Sequence, residues 1–106
     1  MSRKARVRWT HRSITDLRAI GRYIAEDDPG AARQWVERLR RRVHDVATTP
    51  RAGRRVPEIE REDIREVLLR SYRIVYRVGR GGIEVLTVFE GHRLLPKGAI
   101  PEEGED

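Results

Sequence analysis

The carboxyl half of the chain carries basic side chains at positions that strands and a turn would hold in fixed places. Guanidinium groups fixed on strands suit phosphate or carboxylate ligands, because their planar donors bind two oxygens at once. A histidine beside them adds the option of acid–base chemistry, a common role of histidine side chains in proteins. The pattern predicts an anion-binding surface at Arg65, Arg73, Arg77, His92 and Arg93.

A simpler interpretation of the same residues stays open. Arg65 or Arg73 could be solvated and paired across strands with Glu66 or Glu84. Each such ion pair would stabilise the fold by well under about 1 kcal/mol. His92 taken alone would more often be a loop or capping residue, while its position between Gly91 and Arg93 at a strand end makes acid–base chemistry possible.

The sequence lacks the motifs that indicate several kinds of site. The sequence has no cysteine, no phosphate-binding glycine–lysine loop and no serine elbow. Its three histidines, His11, His44 and His92, show no metal-ligand spacing. We therefore expect neither a metal nor an organic cofactor.

Charge points to an acidic partner or a polyanion. The 106 residues include 23 Lys+Arg against 17 Asp+Glu, which gives a formal net charge of +6. Four of the acidic residues fall in the last five positions, so the rest of the chain is more basic than the total suggests. No apolar run is long enough for a membrane span or signal peptide, and we expect a cytoplasmic protein without a targeting segment.

Three apolar runs between Ile64 and Arg93 predict an antiparallel meander. The glycines from Gly79 to Gly82 predict a tight connection with positive φ. Alternation along the middle strand places Tyr72 and Tyr76 toward the core and Arg73 and Arg77 on the other face, which we expect to be an exposed arginine surface. Trp9 and Trp35 are also expected in the core.

The amino half predicts one strand and two helices. Residues 4–10 alternate as a half-buried strand, and a helix follows from Thr10 or Ser13, with Ser13 and Asp16 as a capping box. Gly21 indicates close helix packing. Asp28 and Pro29 predict the cap and first residue of a second helix, which ends before Pro50.

The expected fold is therefore α+β, with the order β-α-α-β-β-β and a helical hairpin on a mainly antiparallel four-stranded sheet. Residues 50–63 have loop composition and are a common kind of place for binding residues. We expect one domain over residues 1–95 and an irregular acidic tail, its end disordered, over residues 96–106.

The element order and several local motifs resemble the RelE/ParE superfamily of type II toxin–antitoxin toxins. The resemblance covers about residues 4–95, and its motifs indicate the fold better than the target. They are Asp16-Leu17, Ile20, Tyr23-Ile24, Pro50-Arg51-Ala52-Gly53-Arg54, Ile64-Arg65-Glu66, Tyr72-Arg73-Ile74-Val75-Tyr76 and Gly91-His92-Arg93.

This resemblance implies two activities. RelE-like members cleave messenger RNA on the ribosome, and ParE-like members poison DNA gyrase without a known hydrolytic site. For a ribonuclease, the resemblance implies Arg73, Arg93 and His92 as catalytic residues, with His92 in place of a tyrosine that follows the final arginine in RelE-like chains. The residues expected to bind the target are Arg65, Arg73, Arg77 and Arg93.

The long helical hairpin and the Pro-x-x-Gly-Arg segment favour the ParE-like alternative, a gyrase-inhibiting, growth-inhibiting toxin of the kind used in plasmid stabilization. A module that only binds its antitoxin or regulates DNA is the third hypothesis. All three imply a cognate antitoxin, docked as an added strand or as a helix in a groove, and a homo-oligomer is compatible with each.

Overall fold

In the computed structural model, which describes residues 5–102, two helices pack on one face of a five-stranded mixed sheet. The strand order is β1-β5-β4-β3-β2, with β1 parallel to β5 and the other pairs antiparallel. The predicted α+β class and element order are confirmed, with one additional short strand, β2. The elements are β1 (Arg6–Trp9), α1 (His11–Ala25), α2 (Pro29–Ala47), β2 (Arg54–Arg55), β3 (Ile64–Leu69), β4 (Tyr72–Gly79) and β5 (Gly82–Glu90).

The helices begin at side-chain caps. Thr10 Oγ1 accepts a hydrogen bond from Ser13 N at 3.1 Å, and Asp28 Oδ1 accepts one from Ala31 N at 3.1 Å. Pro29 is the first residue of α2, as predicted. Among the described residues, neither helix is both long and apolar enough to cross a membrane.

The capping box predicted at Ser13 and Asp16 is wrong. Ser13 is buried and its Oγ donates to the Thr10 carbonyl oxygen at 2.9 Å. The Asp16 carboxylate turns to β5, where it accepts hydrogen bonds from Thr87 Oγ1 at 2.5 Å and Val88 N at 3.2 Å. Because Thr87 is fully buried, its hydroxyl needs this partner, and Asp16 fastens α1 to the sheet.

Close packing joins the two helices, as Gly21 predicted. A Cβ added at Gly21 would lie 3.1 Å from Val36 Cγ2, closer than ordinary van der Waals contact. The helices pack on β4 and β5 through a cluster that includes Leu17, Leu39 and Val43. The aromatic residues predicted for the core lie there: Tyr72 and Tyr76 are buried, and Trp9 and Trp35 are partly buried against it.

A β-bulge in β5 changes which of its side chains face the helices. Tyr76 pairs with Val85 and Val75 with Thr87, so Leu86 is the extra residue. Before Leu86, odd-numbered side chains such as that of Val85 face the helices. After it, the even-numbered Val88 does so. Leu86 itself joins the cluster on the opposite face.

That opposite face differs from the exposed arginine surface expected from the alternation of β4. Val56 and Ile59 cover Ile64, Val75, Leu86 and Phe89 there, and the segment after β5 adds the partly buried Leu95 and Ile100. Arg73 lies on this face but is only 6% exposed. The expectation failed because alternation identifies two faces but does not show that a loop covers the second one.

The covering segment is residues 50–63, which the composition predicted to be a loop. It contains a short 3-10 helix, Pro50–Ala52, and then β2, whose Arg54 pairs with Glu66 of β3. After β5 there is no helix or strand up to residue 102, as predicted, although Ala99 is buried. The acidic end predicted to be disordered lies, from residue 103, outside the described residues.

Replacing Asp16 tests the fastening of α1 to β5. We expect Asp16→Ala to lower the free energy of unfolding by roughly 1–3 kcal/mol, because it leaves the buried Thr87 hydroxyl and Val88 amide without an acceptor. Urea unfolding measures this. The matched control, Asp27→Ala at an exposed position, should change it by no more than about 0.5 kcal/mol, and equal losses in the two variants would contradict the assignment.

Candidate functional site

Arg73, the central arginine of the predicted site, lies in an ion-pair network. Its Nη1 and Nη2 donate to the two carboxylate oxygens of Glu58 at 2.9 Å and 2.7 Å, and its Nε donates to Glu66 Oε1 at 2.8 Å. The guanidinium carbon lies 4.8 Å from the centre of the Phe89 ring. A phosphate could reach Arg73 only after Glu58 had moved away.

Glu66 is the buried centre of the network. Its side chain is fully inaccessible to solvent, and its second oxygen accepts a hydrogen bond from Arg54 Nε at 2.6 Å. A carboxylate in this position is stable only because both oxygens meet a guanidinium group. Glu66 therefore connects β2, β3 and β4 through Arg54 and Arg73.

Glu58 links the network to the segment that follows β5. Its Oε2 also accepts a hydrogen bond from the Leu95 backbone amide at 3.1 Å. The hydrogen bonds from Arg73, followed by that from Leu95, lower the pKa of Glu58 from 4.5 to about 2 against the opposing effect of burial. The same contacts with Glu58 raise the pKa of Arg73 further above its usual value. Both groups are charged at neutral pH.

The Pro50–Arg54 motif has a structural explanation. The buried Tyr76 hydroxyl donates to the Pro50 carbonyl oxygen at 2.5 Å, and burial raises the pKa of Tyr76. A Cβ added at Gly53 would overlap that hydroxyl oxygen and approach the Glu66 carbonyl, so only glycine fits. Arg54 then reaches Glu66.

Arg65 and Arg77 lie away from this end of the sheet. In the strand register Arg73 is opposite Phe89, whereas Arg77 is opposite Glu84, so the two arginines are separated by about 13 Å along β4. Arg77 pairs with Glu84 at 2.6 Å. Arg65 Nη2 lies 2.8 Å from Glu62 Oε2, and Nη1 donates to the Gly53 carbonyl oxygen at 3.1 Å.

His92 and Arg93 lie in the turn after β5. The His92 side chain is 71% exposed, with Nδ1 3.4 Å from Glu90 Oε2. The Arg93 carbonyl oxygen lies 3.5 Å from Arg73 Nη1. The structure thus brings Arg73, Arg93 and His92 to one end of the sheet, but only the last two present side chains to solvent there.

The Arg93 side chain borders a groove of about 500 Å³ between the end of β5 and α1. Its wall also contains Arg12, Tyr23 and Tyr72, with Asp16 and Glu90 as the acidic members. Within residues 5–102, no cluster of three or more histidine, aspartate or glutamate side chains is placed to hold a metal ion. At this end Arg93 could bind an anion and His92 could transfer a proton.

Sequence reasoning missed Glu58, Arg54 and Asp16 as partners in these contacts. Glu58 and Arg54 lie in a segment without strand or helix periodicity, so no pattern placed them opposite Arg73 and Glu66. From the sequence, Glu66 is predicted only as a possible cross-strand partner of solvated arginines. The one available signal was a glutamate in the middle of a strand whose apolar residues, Ile64 and Val67 among them, are buried.

Acid should weaken the network through Glu58. Because its pKa is about 2 in the folded protein and 4.5 ordinarily, its contribution is complete above pH 4.5 and is lost as the pH falls toward 2. We expect Glu58→Gln to cost roughly 1–3 kcal/mol at pH 6 and progressively less below pH 4.5. Urea unfolding at a series of pH values measures the difference.

Glu60→Gln, an exposed position two residues away, is the control for that pH series. It should leave stability unchanged within about 0.5 kcal/mol at every pH. A Glu58→Gln deficit that stayed constant from pH 6 to pH 2.5 would show that the carboxylate charge does not stabilise the fold.

Comparison with known proteins identifies the family. The family described as "ParE toxin of type II toxin-antitoxin system, parDE" matches residues 7–95. Two relatives are similar over nearly their whole lengths. "Putative toxin Y4kP" of Sinorhizobium fredii is 41% identical over 101 residues, covering 92% of this chain and 98% of the relative. "Toxin RelE2" of Caulobacter vibrioides is 33% identical over 90 residues, covering 85% and 99%.

A solved structure agrees in fold. A chain from the "Chromosomal ParDE TA system from P. aeruginosa" superposes with a TM-score of 0.68 at 23% identity, covering 84% of this chain and 98% of that one. The RelE/ParE resemblance predicted from the sequence motifs is confirmed. The chain belongs to the ParE toxin family of type II toxin–antitoxin systems.

Proposed function

We propose that this toxin inhibits DNA gyrase by binding it, without a hydrolytic step of its own, and that a cognate antitoxin neutralises it. The observation that carries the proposal is the engagement of Arg73. The arginine that a RelE-like mechanism would use on the scissile phosphate is held by Glu58 and Glu66. The match of residues 7–95 to the ParE family supports the same choice.

Few other side chains are present that a ribonuclease mechanism could use. Leu94 to Ile100, which follow Arg93, include no aromatic residue. Ribonucleolysis needs fixed positive charge on the phosphate and groups that move protons. Without Arg73, those roles fall to Arg93 and the exposed His92 alone.

A supercoiling assay with purified gyrase tests the target. We expect the toxin to inhibit supercoiling of relaxed plasmid in a concentration-dependent way, and premixing with the antitoxin to restore it. Normal supercoiling at saturating folded toxin would contradict the proposal.

The alternative function is ribosome-dependent cleavage of messenger RNA. Two observations favour keeping it: a 33% identical relative bears the name "Toxin RelE2", and His92 and Arg93 lie together in the turn after β5. Arg73→Ala would not test this mechanism cleanly, since it would also leave Glu66 without one of its buried partners. The informative variants are His92→Gln and Arg93→Ala.

A translating extract decides between the two functions. A ribonuclease that used His92 would lose about 100-fold or more of its cleavage rate in His92→Gln, while His11→Gln, at another exposed histidine, would keep its rate. Under our proposal the unmodified toxin produces no cleavage, and cleavage lost in His92→Gln would establish the alternative.

We infer that the antitoxin docks in the groove between α1 and α2. This groove has an apolar floor that includes Leu17, Ala32 and Val36, and its acidic member is Glu37. A rim of arginines surrounds it: Arg18, Arg22, Arg33 and Arg40. An amphipathic helix with acidic flanks fits both the floor and the rim.

Reversing charge on the rim tests the docking site. We expect Arg22→Glu with Arg33→Glu to weaken antitoxin binding about 10-fold or more, measured by calorimetry, because both positions would then repel an acidic helix. Arg80→Glu, on the β4–β5 turn outside the groove, is the control and should change the affinity little. Equal affinity of the rim variant and the unmodified toxin would exclude this groove.

A further inference from the structure

A strongly basic surface lies at the opposite end of the sheet from His92. It is a cleft of about 450 Å³ beside the β4–β5 turn, which we call the arginine cleft. Its basic residues are Arg6, Arg8, Arg61, Arg77 and Arg80, and its acidic residues are Asp63 and Glu84. None of these residues lines the groove between α1 and α2 or the groove beside Arg93.

Strand geometry brings the arginines of this cleft together. Val7 and Trp9 pack against the core on the helix side, so Arg6 and Arg8 lie on the other face of β1, where both are exposed. They are two residues apart, which separates their Cα atoms by roughly 7 Å. That spacing is close to the distance between successive phosphates along one strand of a nucleic acid. The parallel register places Arg6 opposite Gly82, next to the turn that carries Arg80.

The two acidic residues of the cleft already have partners. Asp63 pairs with Arg61 at 2.9 Å, and Glu84 pairs with Arg77 at 2.6 Å. Within residues 5–102, the exposed side chains of three other arginines form no ion pair: Arg6, Arg8 and Arg80. The described part of the cleft therefore carries an excess of positive charge, which favours phosphate or carboxylate ligands.

Protection of a strand edge explains only part of this charge. β1 is at the edge of the sheet, and basic side chains on an edge strand discourage pairing with another sheet. That role would account for Arg6 and Arg8. It does not account for Arg80, which lies on the β4–β5 turn and adds its charge to the same cleft.

The lining of the cleft distinguishes between kinds of anionic partner. Seven of its ten residues are charged, and the others are Gly79, Gly82 and Ile83. A peptide helix would find little apolar surface to bury there, in contrast to the groove between α1 and α2. Proteins that bind single-stranded nucleic acid stack its bases on aromatic side chains, and none of the described residues that line the cleft is aromatic. The backbone of a duplex needs only fixed positive charge.

We propose that the arginine cleft binds the phosphate backbone of duplex DNA, without regard to base sequence, through Arg6, Arg8 and Arg80. The choice of DNA over RNA rests on the proposed function, since gyrase acts on duplex DNA. The phosphate contacts themselves require no gyrase. They would hold the toxin on the DNA that its target also binds.

Fluorescence anisotropy of a labelled DNA duplex, with no gyrase present, measures this binding. Three phosphate contacts predict that the logarithm of the binding constant falls with the logarithm of the salt concentration with a slope of about −2.7. We expect Arg6→Gln with Arg8→Gln to reduce the slope to about −0.9 and to weaken binding at least about 10-fold at 0.1 M salt. Arg80→Gln alone should reduce the slope by about 0.9.

The matched control is Arg38→Gln with Arg41→Gln, which removes the same charge from exposed positions on α2. Its salt slope should equal that of the unmodified toxin, and urea unfolding checks that every variant is folded. Three outcomes would overturn the proposal: no binding of the duplex at about 0.05 M salt, equal losses in the cleft and control variants, or tighter binding of a single strand or an RNA duplex of the same sequence. Because the assay contains no gyrase, a failure of the supercoiling experiment would contradict the proposed target alone.

Discussion

The fold depends on the buried Glu66 carboxylate. It lies in the middle of β3 with no access to solvent, and each of its oxygens meets a different guanidinium group. An unpaired carboxylate there would be too costly, so Arg54 and Arg73 have to be present. The short strand β2 is held beside β3 by this requirement as well as by its backbone pairing.

The same requirement determines what the arginines can do. Arg73 satisfies Glu66 and Glu58 together, and in doing so it connects β4 to the segments on either side of the meander. Its charge stabilises the tertiary structure and is not freely available to a ligand. The basic character of the surface comes instead from residues on β1, the β4–β5 turn and the rim of the helical hairpin.

The sequence predicted the elements well, because each has a local cause. Capping at Asp28, the close approach at Gly21 and the positive φ of Gly81 were all visible as residue types at fixed offsets. What failed depended on contacts between distant segments. Glu58 meets Arg73 across 15 residues, and Asp16 meets Thr87 across 71, and neither distance leaves a periodic signal. The proposed catalytic and binding residues remain predictions.

The parallel pairing of β1 with β5 has a consequence for how the protein is made. In chain order the first strand of the sheet pairs with the last, and Thr10 Oγ1 donates to the Leu86 carbonyl oxygen across 76 residues. Loop-closure entropy makes such long-range pairs slow to form. As the chain leaves the ribosome, β1 has no partner until the residues of β5 have been synthesised. Of the five strands of this sheet, the one translated first is therefore among the last to find its place, and the sheet is incomplete until β5 has emerged.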